Sequence, residues 1–119
     1  MKRVYLDNNA TTQTAPEVLE AMLPYLSEEY GNPSSMYALA GNSERAVAHA
    51  REQVADLLGA EPDEIIFTSC GTESDNAAFY SALESQPGKK HLVTTRVEHP
   101  AVLNTAQNYK KKGLPVTLI

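Results

Sequence analysis

An apolar run, Ile65-Ile66-Phe67, breaks off abruptly into TSCGTESDN, and the same pattern recurs further on. HLVTTRV (91–97) breaks off into EHPAV, and PVTLI (115–119) begins a third such run. Residues with helical spacing follow each of the first two breaks. This alternation narrows the fold more than any other feature, because parallel neighbouring strands need a crossover and the crossover is usually a helix. It predicts an α/β fold with a mostly parallel sheet flanked by helices. Strands are expected over Glu64–Thr68 and His91–Val97, and from Pro115 onward. The first crossover helix is expected over Thr72–Leu83, ending before Pro87-Gly88. The second starts near Pro100, a residue suited to a first helical turn. Its apolar side is Val102, Leu103 and Ala106. Lys110, Lys111 and Lys112 favour its negative end, and Gly113 stops it.

Upstream, RVYL (3–6) reads as a short strand and DNNATTQT as a polar segment. Thr14 with Glu17 fits a capping box. Val18, Leu19, Met22, Leu23 and Leu26 recur at helical spacing, with Pro24 expected to kink or end that helix. YGNPSSMYALAGN reads as a long loop of the kind that often carries function. A second helix is expected to be capped by Asn42 or Ser43 and stopped by a left-handed Gly59. Its apolar line is Ala46, Val47, Ala50, Val54, Leu57 and Leu58. Arg45, His49, Arg51, Glu52 and Asp56 form the opposite, solvated face.

The 119 residues suffice for one modest core, and 42% hydrophobic content excludes a disordered chain. A net charge of −5 spread along the sequence argues against nucleic-acid and anionic-membrane partners. No run is long enough to span a bilayer, and MKRVYLDNN lacks a signal-type apolar stretch. A single cysteine forms no internal disulfide, so the expected location is cytoplasmic.

In sheets of this class, ligands sit beyond the carboxyl ends of the strands, which singles out TSCGT and VEHPA. The start of the helix after TSCGT offers unpaired amides and a partial positive charge. Gly71 lets an anion approach the backbone, and Thr72 and Ser69 add hydroxyl donors. The GK[ST] ending of a Walker loop and a GxGxxG fingerprint are both missing. A second reading fits the same residues: Ser and Thr cap helices without any ligand, and Glu73 and Asp75 complement the helix dipole. His99 falls at the end of the second strand, on the same edge as Gly71 and Thr72. There an imidazole can stack on a flat ligand or move protons; the alternative is a structural or surface histidine. Cys70 is read as a small, buried, inert side chain rather than a reactive thiol. His91, at the opposite end of its strand, is read as surface.

The sequence resembles the NifS/IscS-type cysteine desulfurases of the class V aminotransferase family. The resemblance rests on YLDNNATT (5–12), GNPSS (31–35), LLGAEPDEIIFTSCGTESDN (57–76) and VEHPAV (97–102), in order across essentially the whole chain. It implies pyridoxal 5′-phosphate (PLP) as cofactor. The positions of Gly71 and Thr72 would meet its phosphate, and the position of His99 would stack on its ring and assist proton transfer. Asn8 carries over as a substrate-side residue. The implied fold is the N-terminal part of an aminotransferase fold type I large domain. Residues 1–14 form an arm near the small domain and the substrate side, and 15–119 begin the PLP-binding domain. The implied reaction takes L-cysteine to L-alanine and an enzyme persulfide, with sulfur passed to an iron–sulfur scaffold protein by a homodimeric enzyme. Tyr37 stands where the family commonly has histidine.

The resemblance also implies a Schiff-base lysine and a persulfide cysteine that these residues do not supply. Lys89, Lys90 and Lys110–Lys112 sit at the wrong edge of the expected sheet, Lys2 is in the arm, and Cys70 aligns with the phosphate loop. The expectation is therefore the N-terminal portion of a longer enzyme, inactive by itself. The rival readings are a phosphate- or nucleotide-binding α/β module without PLP and a non-enzymatic packing remnant.

Overall fold

A computed structural model describes residues 4–119. Lys2 and Arg3 lie outside the described residues, and residues 4–6 form no strand. The chain divides into two compact units, one ending at Ile65 and the other beginning at Ile66.

The first unit holds helices α1 (Pro16–Ser27) and α2 (Ala38–Leu58) and a 3-10 turn at Pro62–Glu64. The Thr14–Glu17 capping box does not form. Pro16 occupies the first helical turn, and the extended Ala15 before it is the N-cap, with no side-chain hydrogen bond. Proline disfavours helical geometry in the residue before it, which moves the helix start beyond the reach of Thr14. Pro24 lies inside α1, and the helix ends one turn later, where the Glu28 and Glu29 amides both donate to the Pro24 carbonyl at 2.9 and 2.8 Å. The large apolar residues of α1 remain about half exposed or more, and Val18, Met22 and Leu26 line an open groove with Tyr25.

Helix α2 starts at Ala38, earlier than the expected cap, with Tyr37 as N-cap. Asn42 and Ser43 are tethers instead. Ser43 Oγ donates to the Glu29 carbonyl at 2.7 Å, and Asn42 Nδ2 donates to Glu29 Oε2 at 2.7 Å. These bonds hold the segment after α1 against the first turns of α2. Gly31 is buried there, and a β-carbon on it would lie 2.4 Å from the Leu39 carbonyl oxygen. Ser43→Ala is expected to cost about 1 kcal/mol in denaturant unfolding, since it removes a part-buried hydrogen bond to the Glu29 carbonyl. An unchanged midpoint would remove the tether. Gly59 ends α2 with φ 66°, as its type predicts, and the Ala60 amide closes back on the Ala55 carbonyl at 2.9 Å.

The expected apolar line of α2 is only partly used. Ala40, Ser43 and Ala55 are buried, whereas Leu57 and Leu58 are largely exposed. Arg51 is not simply solvated, because its guanidinium donates to the Ile65 carbonyl. His49 does stay exposed, with Nδ1 3.7 Å from Glu52.

Glu64–Thr68 is not a strand. Glu64 closes the 3-10 turn, its carboxylate accepting from the Glu61 amide at 2.9 Å, and residues 65–68 lie outside any strand. β-propensity alone does not make a strand; it needs the extended ladder of a sheet around it.

The second unit is α3 (Gly71–Ser85), β1 (Leu92–Thr94), α4 (Pro100–Lys111) and β2 (Val116–Leu118). β1 and β2 pair in parallel, Leu92 with Val116 and Thr94 with Leu118, joined by α4 as the crossover. The paired stretch is shorter than His91–Val97 because the ladder closes with Arg96 N–H donating to the Ile119 carbonyl at 2.9 Å. α4 packs against both strands and α3. Its buried residues are Ala101 and Ala106, and Gly113 ends it with φ 93°. His91 is exposed, with Nε2 2.9 Å from Thr117 Oγ1.

Candidate functional site

The groove between the first turns of α3 and α4 lies wholly within the second unit. It has a volume of 280 Å³ and is lined by Thr72, Asn76, His99, Ala101, Asn104 and Thr105, with Pro100 at its edge. Two residues from separate sequence motifs, Thr72 and His99, thus meet at one opening. Each begins a helix, and helix starts present amides that have no intrahelical acceptor.

His99 is the N-cap of α4. Its Nδ1 accepts from the Ala101 amide at 3.1 Å. As an acceptor that nitrogen carries no proton, so Nε2 bears the N–H of the neutral ring. Pro100 at the first helical position holds the backbone in helical geometry and imposes an extended His99, with ψ 147°. The imidazole is exposed.

The α3 start is more elaborate. Cys70 is the extended N-cap, and its thiol is exposed. The Ser69 amide and hydroxyl both donate to Glu73 Oε2, at 2.6 and 2.7 Å. Those two bonds, the amide first, hold the Glu73 carboxyl below its usual range. The contribution of this cap is present above the ordinary carboxylate pKa and is lost as pH falls through the depressed one. Glu73 is therefore turned back onto Ser69 and is not among the residues lining the groove. Thr68 Oγ1 and Ser74 Oγ lie 2.6 Å apart behind it.

The Glu73 amide, then the Ser69 hydroxyl, lower the Cys70 thiol pKa. A lowered pKa keeps thiolate present at lower pH. Alkylation of Cys70 by iodoacetamide, followed by mass spectrometry of its peptide, is expected to persist to lower pH than for an unstructured thiol. Ser69→Ala should move that profile back up. Superimposable profiles would contradict this.

Gly71 has open space where a β-carbon would stand, with nothing within 4 Å, so a ligand group can approach its backbone. Gly71 and Thr72 amides, the Thr72 hydroxyl, an imidazole and the carboxamide of Asn104 together form a donor-rich set. That set fits a flat ligand bearing a phosphate. No lysine lines the groove among the described residues. Lys89 lies by His91 and Leu92, and Lys110 and Lys111 close the far end of α4. Asn8, the substrate-side expectation, lies in the first unit within a turn before α1.

Asn76, Asn104 and Thr105 escaped the sequence reading. The signal was present but weak: Asn76 stands one helical turn after Thr72, and Thr105 one turn after Ala101. No helix among the described residues is long and apolar enough to cross a membrane, and no cluster of metal-ligating residues occurs among them.

The aminotransferase class-V family model matches residues 4–119. The chain is 58% identical over its full length to a cysteine desulfurase of Trichormus azollae. It is 51% identical over 117 residues to the cysteine desulfurase NifS of Azotobacter vinelandii. It spans about 30% of the length of these curated relatives. Among solved structures it superposes on a NifS-like protein with a TM-score of 0.90 at 42% identity, covering 99% of this chain and 33% of that one. A structure described as SspA in complex with cysteine gives 0.88 at 40% identity, covering 97% and 33%. The family implies PLP use. With matches of this extent in both sequence and backbone, the chain belongs to the class V aminotransferases.

Proposed function

We propose that this chain furnishes the phosphate-binding and imidazole side of the active site of a PLP-dependent cysteine desulfurase. Such an enzyme converts L-cysteine to L-alanine and keeps the sulfur as a persulfide for iron–sulfur cluster assembly. One observation carries the reading: Thr72 and His99 line a single groove in a chain whose relatives are named cysteine desulfurases.

The Gly71 and Thr72 amides and the Thr72 hydroxyl bind the coenzyme phosphate, aided by the positive end of α3. The His99 ring covers one face of the coenzyme, keeps water from it, and holds or moves a proton at Nε2, since Nδ1 is engaged by Ala101. Bound PLP supplies an electron sink for the substrate α-carbon. In this reading the anchoring lysine and the persulfide cysteine come from outside these residues. Residues 1–14 form an arm on the substrate side, with Asn8 facing L-cysteine, and the PLP domain starts at residue 15. The working enzyme is a cytoplasmic homodimer that hands sulfur to an iron–sulfur scaffold protein.

The test uses the protein that carries this chain. PLP is expected to survive gel filtration with a visible absorbance band. Thr72→Val is expected to weaken PLP binding about tenfold, the effect of losing one hydrogen bond to a charged group. Wild-type retention in both Thr72→Val and His99→Ala would remove the assignment. Nucleotide binding without a visible band would favour a phosphate-binding module instead.

A further inference from the structure

The polar contacts along the groove wall form one bridge. Asn76 Nδ2 donates to the Thr72 carbonyl at 2.7 Å, within α3. Asn76 Oδ1 accepts from Thr105 Oγ1 at 2.7 Å, which crosses to α4. Thr105 Oγ1 also stands 2.7 Å from the Ala101 carbonyl, and the Ala101 amide donates to His99 Nδ1 at 3.1 Å. The chain of contacts thus runs from the backbone of Thr72 to the imidazole of His99. Thr105–Asn76 is the side-chain hydrogen bond that joins α3 to α4 among the described residues.

The chemistry of the bridge is specific. A carboxamide presents a donor on one side and an acceptor on the other. Asn76 needs both, the donor for a carbonyl in its own helix and the acceptor for a hydroxyl in the next. Aspartate at this position would face the Thr72 carbonyl with a second acceptor. Thr105 has one hydroxyl proton and two acceptors in reach, so the Asn76 bond competes with the back-bond to Ala101. The apolar part of the α4 seat is built from Ala101 and Ala106, whose methyls set distance but little direction.

We propose that Asn76 and Thr105 are positioning residues that fix the separation between the anion-binding turn of α3 and the imidazole of His99. They touch neither phosphate nor substrate; they act through Thr72 and His99. The inference rests on the proposed PLP site in this groove.

The experiment measures PLP dissociation constants and the visible circular dichroism of bound PLP in the protein that carries this chain. It compares Asn76→Ala, Thr105→Val, their double variant and Thr105→Ser, with Thr72→Val and His99→Ala as reference variants. Asn76→Ala and Thr105→Val are each expected to weaken PLP binding about tenfold, the size of one lost directional hydrogen bond. Each should also change the dichroism of bound PLP. The double variant should be no worse than either single, because both break one bridge. Thr105→Ser keeps the hydroxyl and should bind as wild type. Wild-type affinity and dichroism in Asn76→Ala and Thr105→Val, with weakened binding in Thr72→Val and His99→Ala, would overturn the bridge and leave the site standing. Wild-type binding in all of them would overturn both. Should Asn76→Ala fail to fold, Thr105→Val and Thr105→Ser decide alone, since the first removes the hydroxyl at nearly constant volume and the second keeps the hydroxyl and removes the methyl.

Discussion

Gly31→Ala is expected to lower unfolding free energy by about 3 kcal/mol, the upper part of the range for overpacking a close contact. The new methyl would lie 2.4 Å from the Leu39 carbonyl oxygen, 2.6 Å from the Leu39 carbonyl carbon and 2.8 Å from the Ala40 nitrogen. All three are backbone atoms, so no rotamer change relieves the clash. Relief requires the segment around Gly31 to lift from α2, and that pulls on the Ser43–Glu29 and Asn42–Glu29 bonds. Backbone strain at the glycine is not involved, since the positive-φ glycines are Gly59 and Gly113. Gly88→Ala is the matched control, because its β-carbon meets nothing within 4 Å, and it should stay within about 0.5 kcal/mol of wild type. Urea unfolding of the protein that carries this chain, with the two variants in parallel, makes the comparison. Equal midpoints for both would show that the segment does not press on α2.

On the proposed desulfurase activity, His99→Asn in the protein that carries this chain is expected to lower kcat/KM for L-cysteine by about 10²–10⁴-fold while leaving the fold intact, the range for losing a positioned proton-transfer group. Asparagine is chosen over alanine because His99 has an observed job besides its proposed one. It caps α4 through Nδ1, and a cap is worth about 1 kcal/mol. Asparagine is among the best N-caps, so it keeps the cap and removes the ring. His99→Ala loses both. A difference in stability between the two variants with equal loss of turnover would isolate the ring's part in the reaction. Wild-type turnover in His99→Asn would confine the residue to capping.

What was legible in the sequence follows the range of the forces involved. Pro100 starting α4, and Gly59 and Gly113 stopping α2 and α4, are set by the allowed angles of single residues, and all three stand as read. The parallel pairing of LVT with VTL follows from alternation of strand and helix. The misreadings share a cause. Asn42 and Ser43 have cap chemistry, yet their side chains go to Glu29, thirteen and fourteen residues earlier. Arg51 looked like a solvated charge and instead serves the Ile65 carbonyl. Ile65-Ile66-Phe67 has the composition of a strand, but pairing depends on a neighbour that composition does not reveal. At the candidate site, TSCGT and VEHPA drew attention through position along the sheet edge, and the second unit does bring Thr72 and His99 to one groove. Asn76 and Thr105 sit on helix surfaces with no apolar period to mark them. Their meaning lies in a partner 29 residues away.

Every fully hydrophobic residue buried among those described is an alanine: Ala40, Ala55, Ala101 and Ala106. A methyl group has no torsion to freeze, so these seats form without loss of side-chain entropy, and they offer no alternative rotamer that could absorb a push. Adjustment in the second unit is thereby left to its hydroxyls and carboxamides. Natural drift could retune how firmly the imidazole is held by exchanging threonine for valine at position 105, with no repacking elsewhere.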